Sequence, residues 1–178
     1  DGRLESVKDG NLLFIVSGFK QFEYISSDEI ALIRRFSSKF DAMGGVDTGA
    51  WILGKAGLLE GKSATTHWED LERFSDEFPN INVVADRFVS DEKYVTIGGA
   101  LPTFDFLLAF IEEKFAAALA YDVSSVFIYS STSHAADPQP FVSFGRLAEI
   151  CQVSRSKLYR FFDELNSESK HLYSLLDN

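Results

Sequence analysis

A single cysteine in 178 residues, Cys151, excludes an internal disulfide. The sequence also lacks a charged opening stretch that leads into an apolar segment, so a cytoplasmic location is expected. No apolar run approaches the roughly 20 residues that a membrane-spanning helix needs, and no membrane partner is expected. The three histidines, His67, His134 and His171, are scattered without the spacing of a metal site, so neither metal nor cofactor is expected. Internal repeats and low-complexity segments are missing too. Positive charge is scarce, with 17 Lys and Arg against 27 Asp and Glu and a net charge of −10. Spread evenly, that charge would repel a phosphate backbone, so any nucleic-acid contact must be local.

What remains is globular: 46% apolar residues, 17 Phe and 25% charged residues suit one medium domain with a small appendage. Asn11 to Gly18 is a short apolar run ending in glycine, read as a central strand of a parallel sheet. Ser26-Ser27-Asp28-Glu29 offers a cap and an acidic first turn before Ile30, Leu32, Ile33 and Phe36 at helical spacing. Met43 to Val46 reads as a second strand, Ala50 to Leu58 as a helix, and Ser63 to Thr66 as a third short strand. His67-Trp68-Glu69-Asp70 opens a helix that Pro79 ends. Ile81 to Val84 and Tyr94 to Ile97 are strands, with Arg87-Phe88-Val89 and the turn Ser90 to Lys93 giving a hairpin. Gly98-Gly99-Ala100 turns into a long helix from Pro102 to Phe115, followed by a helix over Ala116 to Tyr129. This rhythm predicts an α/β fold, a flavodoxin-like open and mostly parallel sheet with helices on both faces.

Ser130 to Pro140 is small, polar and aperiodic, as a linker would be. Beyond it the charge balances, and within 146–162 Arg146, Arg155, Lys157 and Arg160 face only Glu149. There, "FGRLAEICQVSRSKLYRFF" carries a helix-turn-helix pattern. Leu147, Ala148, Ile150 and Cys151 give one apolar face, Gln152-Val153 the turn, Ser154 an N-cap, and Leu158, Phe161 and Phe162 a second packing face. Placed in a major groove, Arg155, Ser156 and Tyr159 could reach bases while Lys157 and Arg160 meet phosphates. The same spacing also suits an ordinary helical hairpin.

"GGVDTGAWILGKAGLLEGKSATTHWED" has the form of a nucleophile elbow, a strand turning sharply into a helix, but with Asp47 at the turn in place of Ser or Cys. Two roles suit Asp47. At a helix N-terminus its charged form is stabilised, which favours a structural cap over a nucleophile or acid. Alternatively it accepts hydrogen bonds from a cationic or amine-bearing ligand in the crevice at the strand ends. Thr48, His67, and the Gly98-Gly99 pair, which could admit a ligand closely, complete the ligand-site candidates. No catalytic residue is expected.

These residues, over about Asn11 to Gln139, resemble the class I glutamine amidotransferase-like (ThiJ/PfpI-type) sensor domain of AraC-family transcriptional regulators, the group that includes regulators of amino-acid and of carnitine or betaine catabolism. In the enzymatic relatives the elbow carries Cys, and the regulator branch often carries Asp, as at Asp47. The resemblance implies a metabolite sensor without catalysis, spanning 1–130, a linker at 131–142 and a partial helix-turn-helix region at 143–178. "LAEICQVSRSKLYRFF" matches the first of the family's two helix-turn-helix units. The elements that open the family's domain, with their acidic residue near the elbow, and the second DNA-binding unit have no counterpart here. A partial chain is therefore expected, with weak DNA binding alone, a small polar metabolite as ligand and a homodimer as assembly. An amidase- or peptidase-like hydrolase of the same fold, and a non-functional partial product, are the alternatives.

Overall fold

The structure is a computed structural model that describes residues 9–18, 21–129 and 134–139, together with 152–154, 157 and 160. Two compact units divide the chain, Asp1–Gln139 and Pro140–Asn178.

The first unit is built on a four-stranded sheet. Strand β1 (Gly10–Ser17) is followed by helix α1 (Ser27–Phe36), strand β2 (Phe40–Asp47) and helix α2 (Gly49–Lys55). Short strands β3 (Ser63–Ala64) and β4 (Asn82–Val83) flank helix α3 (Leu71–Glu77). Then come β5 (Phe88–Asp91), β6 (Tyr94–Ile97), α4 (Ala100–Lys114) and α5 (Ala117–Val126). The sheet order is β1-β2-β6-β5, and β3 and β4 form a separate parallel pair. β2 runs parallel to both neighbours, in register from Gly10↔Phe40 to Ser17↔Asp47 on one side and from Met43↔Tyr94 to Val46↔Ile97 on the other. β5 joins β6 antiparallel through a turn with Glu92 at φ 53°, the hairpin that the sequence predicts.

Period-2 alternation explains the two-sided coverage. Leu13, Ile15 and Met43 face one core with Phe36, Trp51, Leu53 and Phe74, beneath α1, α2 and α3. Phe14, Val46, Val95 and Ile97 face the other, where Phe106 and Phe110 of α4 cover them. A mostly parallel sheet with helices on both faces is the expected class. α1 starts as its sequence predicts: Ser26 Oγ accepts from the Glu29 N–H, and the Glu29 carboxylate accepts from the Ser26 N–H at 2.9 Å. The Ser26 hydroxyl, which donates to the Glu29 carboxylate at 2.7 Å, and then the Ser26 N–H hold that carboxyl below its ordinary pKa.

Two expectations need correction. β1 is not central but lies at the edge of the sheet, paired only with β2 among the described residues. Its apolar run reports helices above and below, which says nothing about position in the strand order. α2 stops at Lys55, short of Leu58, because Gly57 turns left-handed at φ 69°. Its N–H then reaches Gly54 O while the Leu58 N–H reaches Leu53 O, a Schellman closure. Residues 134–139, within the expected linker, are hydrogen-bonded to the segment before β5: the Arg87 N–H donates to Ala135 O, the Gln139 N–H donates to Ala85 O, and Gln139 is buried.

Candidate functional site

β2 ends at Asp47 in the left-handed region, φ 58°, and α2 starts two residues later with Thr48 as its N-cap. A non-glycine residue held there is the backbone signature of a nucleophile elbow, and Asp is among the few side chains that tolerate it. Glycines two residues before and after make the turn possible. A Cβ on Gly49 would lie 2.1 Å from Ile15 O, and one on Gly45 would lie 2.7 Å from the Ala50 nitrogen. Helix and strand backbones thus approach closer than any larger residue allows. Buried Thr48 ties the turn to the end of β1, its N–H donating to Ser17 O at 3.0 Å and its Oγ1 to Ser17 Oγ at 3.1 Å.

Thr66 Oγ1 donates to Asp47 O at 3.0 Å, which draws the chain after β3 against the elbow. Asp47, Thr48, His67, Glu69 and Asp70 consequently line one small cleft of about 40 Å³. A wider open groove of about 440 Å³ runs beside α1, but its cations are engaged: Arg34 Nε donates to Ala56 O and Lys55 Nζ to Phe22 O. The concentrated chemistry is at the elbow. His67 caps a short 3-10 turn, its Nδ1 accepting from the Glu69 N–H at 3.4 Å, so the neutral ring carries its proton on Nε2. Protonated at Nδ1, it would instead face the Glu69 carboxylate at 3.8 Å.

Burial pushes the Asp47 carboxyl above its ordinary pKa, against the pull of His67 and of the Thr48 amide, and Asp70 adds to the rise. Burial likewise raises Glu69, opposed by His67 and aided by Asp70 and Asp47. The expected stabilisation of charged Asp47 by the helix terminus is therefore overturned. Thr48 stands at the cap position, and burial of the Asp47 carboxyl outweighs the pull of His67 and of the Thr48 amide. For a carboxyl raised on folding, stability is greatest below its unfolded pKa and is lost as pH rises through the folded one. Asp47→Asn should therefore be more stable than wild type at pH 7, by less than about 1 kcal/mol after solvent screening. The pH-dependent part of that gain should vanish below the ordinary carboxylate range. Urea titrations of both proteins from pH 3 to 8 check this, and a gap that does not change with pH would refute the assigned shift.

Of the remaining ligand candidates, Gly99 (φ 146°) approaches His67, a Cβ there lying 3.6 Å from His67 Cδ2. Gly98 is not open to a ligand, because the Gln139 side chain already fills its space. Sequence reasoning missed Glu69, Asp70 and Gln139. The first two were legible only as an acidic first turn, and Gln139 as one more polar residue of a linker.

In the second unit, Gln152 has φ 53° and Ser154 caps the following turn, its Oγ accepting from the Lys157 N–H at 3.2 Å. Lys157 and Arg160 are helical and exposed. Arg155, Ser156 and Tyr159 lie outside the described residues, as does most of the expected helix-turn-helix.

A parallel sheet whose strand-to-helix elbow carries a left-handed residue, faced by a histidine across a cleft, defines a glutamine amidotransferase-like α/β domain. The chain belongs to the DJ-1/PfpI family, which it matches over residues 1–113. It is 31% identical over 170 residues to the HTH-type transcriptional regulator CdhR of Pseudomonas aeruginosa, covering 96% of this chain and 49% of the relative. To the HTH-type transcriptional regulator GlxA of Rhizobium meliloti it is 30% identical over 128 residues, covering 71% of this chain and 40% of the relative. The chain thus spans about half the length, or less, of these regulators. A shorter stretch of 70 residues, 38% of this chain and 29% of the relative, is 43% identical to an isonitrile hydratase of Pseudomonas putida. Among solved structures, a ThiJ/PfpI family protein from Pseudomonas syringae superposes with a TM-score of 0.64 at 23% identity, covering 93% of this chain and 64% of that one. An AraC family transcriptional regulator from Pseudomonas putida does so with a TM-score of 0.61 at 21% identity, covering 71% and 68%. Both support the fold.

Proposed function

We propose that this chain is the metabolite-sensing part of a DNA-binding transcriptional regulator, with residues 1–130 as sensor, 131–142 as a connecting segment and 143–178 as a DNA-contacting region. The likeness along 96% of the chain to a regulator supports this. The observation that carries the ligand class is the cleft itself, where Asp47, Glu69 and Asp70 converge beside His67 and burial raises two of the three carboxyls. The cationic head of a small amine-bearing metabolite would offset the cost of ionising those buried carboxyls, in keeping with regulation of amino-acid or quaternary-amine catabolism. Binding should release protons and strengthen as pH rises through the acidic range, because the cation prefers ionised carboxylates. Calorimetric titration with glycine betaine, carnitine and arginine at pH 5 and 7 tests this. Asp47→Asn should weaken binding by about tenfold or more, the scale of one charge-assisted hydrogen bond. Failure of all three to bind would remove the ligand class.

The proposed location is the cytoplasm, and among the described residues no helix is long and apolar enough to cross a membrane. A homodimer is proposed as the assembly, checked by sedimentation. DNA contact by this chain alone should be weak and salt-dependent. Arg155→Ala and Arg160→Ala should each weaken binding, and Arg160→Ala, which removes a phosphate contact, should lower the slope of log affinity against log salt by about one unit. Binding to a fixed duplex at several salt concentrations decides it, and a double variant that binds unchanged would leave the second unit an ordinary helical hairpin.

The hydratase likeness favours one second reading, a hydrolase or hydratase that uses the raised Asp47 carboxyl. Against it, no thiol or activated hydroxyl lines the cleft, and the Thr48 hydroxyl is buried against Ser17. Turnover of amides, 2-oxoaldehydes or isonitriles that disappears in Asp47→Ala would establish it.

A further inference from the structure

Gln139 is the last residue of the first unit, and only 4% of it is exposed. Its side-chain nitrogen lies 2.8 Å from Thr66 O, 2.9 Å from Thr65 Oγ1 and 3.0 Å from Asp86 O, three acceptors for two N–H groups. Thr66 O belongs to the peptide that leads into His67, and the hydroxyl of the same threonine donates to Asp47 O. On its other side the amide packs against Gly98, where a Cβ would stand 2.4 Å from Gln139 Nε2, and the adjacent Gly99 contacts the His67 ring. The amide thus sits directly behind the cleft and touches both backbone segments that fix His67.

The rest of its segment is held by backbone contacts. The Ala135 carbonyl accepts from the Arg87 N–H, the Gln139 N–H donates to Ala85 O, Pro138 bridges to Asp86, and Asp137 and His134 bond to each other. The Gln139 amide adds the buried side-chain hydrogen bonds that tie 134–139 to the peptide before His67, and the next residue begins the second unit.

We propose that Gln139 is a positioning residue for the cleft and a latch for the chain that follows: its amide fixes the peptide carrying His67, and displacement of His67 loosens residues 134–139. Coupling of this kind is reciprocal, so whatever frees Gln139 must also shift His67. The inference rests on the sensor reading only for its trigger, since every contact it uses is made within the first unit.

The test uses the full chain labelled for NMR, with Gln139→Met, which keeps the volume and removes the donors, and Gly98→Ala, which evicts the amide. Both variants should move the His67 ring resonances and speed hydrogen exchange at the Gln139 and Arg87 amides by about tenfold, the scale of one buried hydrogen bond. Exchange at Gly44 to Val46 of β2 should stay as in wild type. His67→Ala should speed exchange at Gln139 in return. If Gly98→Ala does not fold, Gln139→Met decides alone. Faster exchange with an unmoved His67 ring would reduce Gln139 to a packing anchor, and unchanged exchange in Gln139→Met would overturn the latch. Failure of every amine to bind would discard the trigger and leave these ligand-free comparisons standing.

Discussion

Gly49→Ala is expected to destabilise the first unit by about 3 kcal/mol or more, among the largest effects of any single methyl group. The added Cβ would meet the Ile15 carbonyl oxygen at 2.1 Å, and that oxygen belongs to β1, paired in register along β2. Neither backbone can retreat without breaking the ladder or lifting α2 from the core that Trp51 and Leu53 anchor. Gly45→Ala, 2.7 Å from the Ala50 nitrogen, should follow the same course. Gly18→Ala is the control, since nothing lies within 4 Å of its added Cβ, and it should stay within about 0.5 kcal/mol. Urea midpoints at constant m-value measure all three. A tolerated Gly49→Ala would mean that strand and helix do not meet as closely as described.

Asp105→Ala should cost about 3–5 kcal/mol, as expected when one partner of a buried ion pair is removed. Asp105 is 4% exposed, accepts from Arg87 Nε at 2.9 Å, and accepts from the Tyr129 hydroxyl at 2.7 Å. One carboxylate therefore joins α4 to the segment before β5 and to the residues after α5. Its removal leaves the Arg87 guanidinium, largely buried, without its carboxylate. Tyr129→Phe should cost about 1.5–3 kcal/mol, the range for a hydrogen bond to a charged group. In a double-mutant cycle, Arg87→Met with Asp105→Leu should be less damaging than the sum of the single changes. Strict additivity in that cycle would show that the pair carries no coupling.

The local elements were legible because their signals are local. The Ser26 box and the apolar run of β6 depend on neighbours within a few residues, and those neighbours are visible in the sequence, whereas α4, expected from Pro102, begins two residues earlier at Ala100. The turn at Asp47 was legible for the same reason, since flanking glycines and an apolar strand announce it. What the sequence could not disclose is set by contacts across long separations. An apolar strand reads alike at a sheet's centre or edge when helices cover both faces, so β1 was misplaced. The direction of the Asp47 shift depends first on how far the folded chain buries the carboxyl, and no spacing near residue 47 encodes that. Gln139 meets Thr65 and Thr66 across more than seventy residues, and a small polar stretch without periodicity gives no hint of it.

The left-handed backbone at Asp47 has a consequence for redesign. Conformational strain at an elbow is normally tolerated because a nucleophile there needs exposure, yet this chain keeps the strain with a carboxylate in that place. The skeleton of a reactive turn therefore persists, glycine flanks included, and His67 already stands across the cleft. Asp47→Cys would change a side chain and leave the fold's geometry alone. That single substitution would put a thiol on an elbow whose backbone already has the left-handed turn of a nucleophile.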